Sequence, residues 1–182
     1  MKNWTWLLAL ALLPGCGDDG SGDDSGEEEA QLPPTNGAEM RTWLAAGHYK
    51  NWSCEGAAHG PITISPHGMQ RICSNDMISG HGTGEYPVGA AAVKELYDAD
   101  GKNIVGYAVY RHIKAGTTGD AWYWYEQVPD SSMAPHDADG IVADQIGTMG
   151  DKPGKDLCVG CHMATGLDAN HPGHDFVYTQ ID

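Results

Sequence analysis

AAAVKELYDADGKNIVGYAVYRHIKAGTTGDAWYWYEQV, residues 90–128, decides the fold. AAAVKELYD, NIVGYAVYRHIK and AWYWYEQV are short runs rich in β-branched and aromatic residues. DADGKN and AGTTGD separate them and carry the turn chemistry of hairpins. The stretch therefore predicts a meander of at least three antiparallel strands. On the first of these, period-two counting puts Ala92, Lys94 and Leu96 on one face and Val93, Glu95 and Tyr97 on the other. Neither face is clearly the core.

Working outward, Asn36 followed by Glu39 resembles a capping box, and Met40, Trp43, Leu44 and Gly47 follow at helical spacing. One helix is expected there, ending near His48. Residues 51–84 are rich in Gly, Pro, Ser and His, with a short strand expected at PITIS (61–65) and a short helical piece near Asn75 to Ile78. Residues 130–157 read as loop with one short helix. There is no internal repeat. The expected class is α+β: a mainly antiparallel sheet, a few short helices and a C-terminal haem-attachment motif.

The 182 residues divide into three parts. Residues 1–16 begin with Lys2 and an apolar run from Trp4 to Leu13, a signal sequence too short to span a membrane as a helix. LPGC before Gly17 resembles a bacterial lipobox, with Cys16 as the acylated residue and Pro14 an imperfect fit. A plain signal peptide cut nearby is the competing reading. Residues 17–36 form a Gly/Ser linker with seven acids and no base, a solvated tether that cannot build a core. Residues 37–182 form the domain. The formal charge is −15; without the linker acids and Lys2, eighteen acids face nine bases from Gly37 onward, a balance of −9. An acidic domain without a basic patch argues against nucleic acid. The expected location is the periplasm or cell envelope, with outer-membrane attachment through the lipid alone.

Cysteine usage agrees with export. Besides Cys16 and the two cysteines of CVGCH (158–162), Cys54 and Cys73 remain, and in an oxidising compartment they predict one disulfide. The rival reading is two free buried thiols.

Cys-x-x-Cys-His is the c-type haem attachment signature. Cys158 and Cys161 can add to the two vinyl groups of one porphyrin edge, and His162 then turns its imidazole onto the iron. Zinc is the competing reading, since the same three residues supply three ligands, but a structural zinc site wants a fourth. No local motif supplies a ligand for the other side of the iron. Met163 adjoins His162 and cannot reach the opposite face. Met40, Met69, Met77, Met133 and Met149 lie upstream and read as core filling; His171 and His174 read as surface residues. An open sixth position moves the expected function from carrying electrons toward gas binding or small-molecule redox chemistry.

With that motif in place, the chain resembles the cytochrome P-460 family, which includes the β-sheet cytochromes c′-beta. The matching strings are SPHGMQRICSND (65–76), YPVGAAAVKELYD (86–98), GDAWYWYEQ (119–127) and GKDLCVGCH (154–162). They are spread over most of the chain from Trp43 onward. The resemblance implies an antiparallel β fold, usually a homodimer, holding one five-coordinate haem c and its iron. In the P-460 branch a lysine is bonded to the porphyrin edge, and the enzyme oxidises hydroxylamine, with nitric oxide as an intermediate or product. Electrons pass to a redox partner cytochrome. The lysine that carries over is Lys94, 64 residues before Cys158.

Such a reaction removes protons as well as electrons, so a carboxylate or histidine near the iron would serve as general base. Glu126 and Asp120, at the two ends of AWYWY and on one side by period-two counting, are the candidates, followed by Arg111, His112 and His67. Trp122, Tyr123, Trp124 and Tyr125 read as sheet packing that also walls the haem. One feature departs from the gas-binding branch, which is associated with a distal cap of phenylalanines: Phe176 is the single phenylalanine here. The alternatives to hydroxylamine chemistry are a non-catalytic nitric oxide or carbon monoxide binder and a six-coordinate electron carrier.

Overall fold

The computed structural model describes residues 32–61, 65–150 and 152–181. The signal sequence, Cys16, most of the linker and the centre of PITIS lie outside the described residues. Among the described residues, six strands form one antiparallel sheet in sequence order: β1 (Ser53–Cys54), β2 (Gln70–Ser74), β3 (Ala91–Tyr97), β4 (Ile104–His112), β5 (Trp122–Gln127) and β6 (Ile141–Ile146). Three helices accompany it: α1 (Gly37–Ala46), α2 (Asp76–Ser79) and α3 (Pro153–His162). The class is α+β, as expected, and no helix among the described residues is long and apolar enough to cross a membrane.

β3, β4 and β5 are the three runs of the opening stretch. The sheet extends beyond them on both sides, and β6 corrects the reading of residues 130–157 as loop. Its sequence, IVADQI, mixes Ala, Asp and Gln into a strand, residues that propensity disfavours there. Tertiary partners hold it instead: Tyr123 Oη donates to Asp144 Oδ1, and the Gly37 backbone N–H donates to Asp144 Oδ2 at 2.9 Å. At the other edge, β1 pairs Cys54 directly with Cys73 of β2, and their sulfurs form a disulfide.

Both sheet faces are covered, which is why neither face of VKELY reads as the core. On one, α1 lays Met40, Trp43 and Leu44 against Val93, Val109, Tyr123 and Tyr125. The helix starts where Asn36 Oδ1 accepts from the Glu39 N–H at 3.0 Å. It stops at Gly47, whose φ of 73° lies in the left-handed region. Its end therefore falls just before His48, which opens a 3₁₀ turn, His48–Asn51. Each of the three large apolar side chains under α1 contributes roughly 1.5–3 kcal/mol through burial.

The opposite face packs against α3, the short α2 and the C-terminal segment, with Ala92, Trp122, Trp124, Ala143, Val159, Phe176 and Val177 buried between them. α3 lies close to β6 because residue 154 is glycine: a Cβ there would sit 2.3 Å from the Val142 carbonyl oxygen. Pro153 at the first turn fits the helix start. What reads from sequence as a short helical turn is thus a ten-residue helix fixed against the sheet.

Candidate functional site

The spacing of CVGCH matters because α3 is a helix. Cys158, Cys161 and His162 stand at i, i+3 and i+4, so all three fall on one stripe. That stripe and the sheet face opposite it line a cavity of about 540 Å³, within the usual size range for small-molecule and cofactor sites. Lys94, Ala108, Tyr110, Trp124 and Glu126 come from the sheet side, His67 and Met69 from the segment before β2.

His162 is held tightly. Its Nδ1 lies 2.6 Å from the Phe176 carbonyl oxygen. A carbonyl only accepts, so Nδ1 carries the proton and Nε2 of the neutral ring keeps its lone pair. Burial, with the Lys94 charge adding to it and the Phe176 bond opposing, brings the imidazole pKa down to about 4. The ring is neutral at pH 7. Tyr110, Trp124 and Tyr178 box it in edge-on, at centroid separations of 5.4, 4.9 and 5.3 Å. Tyr178 Oη also donates to the Cys161 carbonyl at 2.8 Å, tying the C-terminal segment to the end of α3.

Lys94, Glu126, His67 and Cys158 are titratable side chains in the cavity lining. Lys94 is desolvated, which pushes its pKa down, while the charge of Glu126 pulls the other way. Glu126 is pushed up by burial, against a hydrogen bond from Cys158 and the Lys94 charge. Its Oε2 accepts from the Cys158 thiol at 3.4 Å, and its Oε1 is 3.4 Å from His67 Nδ1. His67 is brought down to about 3 by burial first and by Lys94 second. Cys158 is raised, mainly by burial and by the Glu126 charge, so its thiol stays protonated.

Of the residues singled out from sequence, Cys158, Cys161, His162, Lys94, Glu126 and His67 meet at this cavity; Asp120, Arg111 and His112 do not. Asp120 belongs to the 3₁₀ turn Gly119–Ala121 that precedes β5, where period-two alternation does not run. It is held at the surface by Lys114 at 2.6 Å and by the Thr118 hydroxyl. Arg111 is paired with Ala91 and Tyr123 across the sheet, on the α1 side, and donates to the Pro33 carbonyl at 2.9 Å. His112 is fully buried, packs tilted against Trp122 at a centroid separation of 4.6 Å and places Nε2 3.0 Å from the Gly116 carbonyl.

Other placements also differ from the sequence reading. Met40 is core, but Met133 is fully exposed and Met149 half so, and Met69 faces the cavity. His174 is half-buried and stacks on Tyr86 at 4.8 Å, whereas His171 stays near the surface beside Asp168. Trp124 walls the cavity, while Tyr123 packs under α1. The Phe176 carbonyl is the contact that sequence could not show, because any residue supplies a carbonyl. Among the described residues, no group of three His, Cys, Asp or Glu side chains is arranged to hold a metal ion. The chain matches no family model, and neither a curated protein nor a solved structure matches it.

Proposed function

We propose that the cavity between α3 and the sheet binds one haem c, and that the protein oxidises hydroxylamine or a related nitrogen oxide and passes the electrons to another cytochrome. The observation that carries this reading is the convergence of Cys158, Cys161, His162, Lys94 and Glu126 on one cavity, from elements distant in sequence. The donor set fits the group. Cys158 and Cys161 supply two thiols from one helix face, and His162 offers Nε2 with its Nδ1–H already committed to a carbonyl, the usual partner of a metal-bound histidine. The iron of a bound haem would accept electrons from the nitrogen compound.

The chain's own residues supply the rest. Lys94, short of solvent, favours the neutral, nucleophilic amine. Bonding it to a porphyrin edge would exchange one N–H and one C–H for an N–C bond, with two protons and two electrons passing to a peroxide-class oxidant. Glu126 is placed to accept a proton released as the substrate is oxidised, and its raised pKa makes it a better acceptor than a solvated glutamate. His67 lies beside that carboxyl group, Nδ1 3.4 Å from its Oε1. The aromatic rings packed edge-on around His162 would shield its imidazole from water when the group is bound. Export, acylation of Cys16, attachment to the outer membrane through the lipid, and homodimer formation belong to the same proposal and rest on the sequence.

The test is an optical spectrum of the haem-matured protein, oxidised and reduced, with denaturing mass spectrometry and an anaerobic turnover assay using an artificial electron acceptor. A strongly red-shifted ferrous band, a mass that includes a third bond to the haem, and hydroxylamine-dependent reduction of the acceptor are expected. Absence of turnover would remove the enzymatic reading and leave gas binding. The six-coordinate carrier has its own observation, since Met69 and His67 both line the cavity. A low-spin spectrum indifferent to added ligand would favour it.

A further inference from the structure

Among the described residues, Asp175 and Phe176 are the two non-glycine positions with positive φ, at 43° and 68°, and they are consecutive. They occupy the centre of a two-residue turn closed by hydrogen bonds in both directions between His174 and Val177, at 3.1 and 2.9 Å. Positive φ at both central positions is the mark of a type I′ turn, which ordinarily takes Asn-Gly or Asp-Gly. Aspartate tolerates the left-handed region; phenylalanine does not. Strain of this kind persists only where surrounding contacts impose it.

Here the imposing contacts are identifiable. The Phe176 N–H donates to Thr165 Oγ1 at 3.0 Å, just beyond α3. Asp175 Oδ2 accepts from the Tyr86 N–H at 3.1 Å, 89 residues away in sequence. The Phe176 ring is buried against Trp124 of β5. Three separate parts of the chain thus clamp a turn whose Phe176 carbonyl receives the His162 Nδ1–H at 2.6 Å.

We infer that Asp175 and Thr165 are positioning residues that hold this strained turn so that the Phe176 carbonyl fixes the tautomer and donor strength of His162. The inference deepens the haem reading and rests on it for its consequence. A firm hydrogen bond to Nδ1–H makes Nε2 a stronger donor, and partners of this outer kind typically change metal affinity or activity 10- to 100-fold when removed.

The test compares D175G and T165V with D175N and T165S in the haem-matured protein. Glycine suits the left-handed region, so D175G removes the tie to Tyr86 while easing the backbone. Asparagine tolerates that region and retains an acceptor; serine retains the hydroxyl. The expected result is a lower ferrous iron–histidine stretching frequency and a raised midpoint potential in D175G and T165V, with D175N and T165S close to wild type. A second readout is ¹⁵N NMR of the His162 ring in full-length chain produced without haem attachment. There a single Nδ1–H tautomer is expected in wild type, and a tautomer mixture in D175G and T165V. If the wild-type chain takes up no haem, the haem reading falls and the ¹⁵N measurement still decides the positioning role. Unchanged ring tautomer, stretching frequency and potential in D175G and T165V would overturn it.

Discussion

Lys94 and Glu126 are paired across the sheet to the same residue, Ala108, from its two sides. An amine and a carboxyl group two strands apart, roughly 10 Å by strand spacing, therefore flank a single methyl group on the cavity wall. The small residue between them leaves the cavity open where two larger neighbours would close it. Replacing it tests whether that gap is where the cofactor sits. A108L is expected to abolish haem incorporation while the haem-free chain still folds, read as loss of Soret absorbance with retained circular dichroism. Normal haem content in A108L would place the cofactor elsewhere.

Lys94 is the residue whose removal should change the haem's covalent state without removing it. In K94A, the thioether bonds to Cys158 and Cys161 remain, so the denatured protein keeps its haem mass. The red-shifted ferrous band should give way to an ordinary five-coordinate c-haem spectrum. K94R is expected to behave like K94A, because arginine stays protonated and is not a nucleophile. A red-shifted band surviving in K94A would show that the lysine makes no bond.

Glu126 and Asp120, equivalent by sequence counting, separate once the turn before β5 is seen. E126Q is expected to lower hydroxylamine turnover by about 10²- to 10⁴-fold, the usual range for a general acid–base group, with haem content unchanged. D120N should leave turnover where it was, since Asp120 is held by Lys114 and Thr118 at the surface, away from the cavity. The pH profile carries the same assignment. Because burial raises the Glu126 pKa, the proton-accepting form should be lost on the acid side at a higher pH than an unperturbed glutamate gives. That limb should vanish in E126Q.

The three central strands were legible because their aromatic and β-branched runs are long and their turns carry Gly, Asp and Asn. β6 was not, because Ala143, Asp144 and Gln145 are held by partners on β5 and α1 rather than by propensity. The site was legible where chemistry is written in a local string, as in CVGCH. Lys94 needed the tertiary structure: it faces a cavity only because α3, packed on β6 and β5, and the segment before β2 close over that side of the sheet, and nothing in VKELY reports that. The Phe176 carbonyl and the clamp around it carry no side-chain signature in a linear pattern.

Buried and half-buried tyrosines, Tyr86, Tyr49, Tyr110 and Tyr123 among them, are expected to set the alkaline limit of the fold. Tyr86 is pushed up to about 12 by burial and the Asp175 charge, with Gln180 opposing. Tyr49, Tyr110 and Tyr123 are also raised by burial, with hydrogen bonds to Glu95 and Asp144 adding to it for Tyr49 and Tyr123. A raised pKa on an acid means the native state keeps its proton where the unfolded chain gives it up. The stabilisation is therefore complete below about pH 10, the unfolded value, and declines as pH rises toward the folded values. Phenolate absorbance and loss of near-ultraviolet circular dichroism should rise together above pH 10. Full phenolate titration of an intact fold would refute this.

The disulfide offers a prediction that separates the scaffold from the site. Cys54 and Cys73 lie directly opposite each other on β1 and β2, and the bond closes a loop of 19 residues in sequence separation. In the chain-entropy account such a loop contributes about 3 kcal/mol by restricting the unfolded chain. Cys73 also packs against Val93 on the α1 side of the sheet, away from the cavity. The C54S/C73S double variant should consequently unfold at lower urea concentration, with a loss of about 3 kcal/mol, yet keep the ferrous spectrum and turnover of the wild type when assayed below its transition. A reductant added to the wild-type protein should reproduce the shift. A spectral change in C54S/C73S under native conditions would mean that the β1–β2 edge reaches the haem site, against the separation of the two sheet faces.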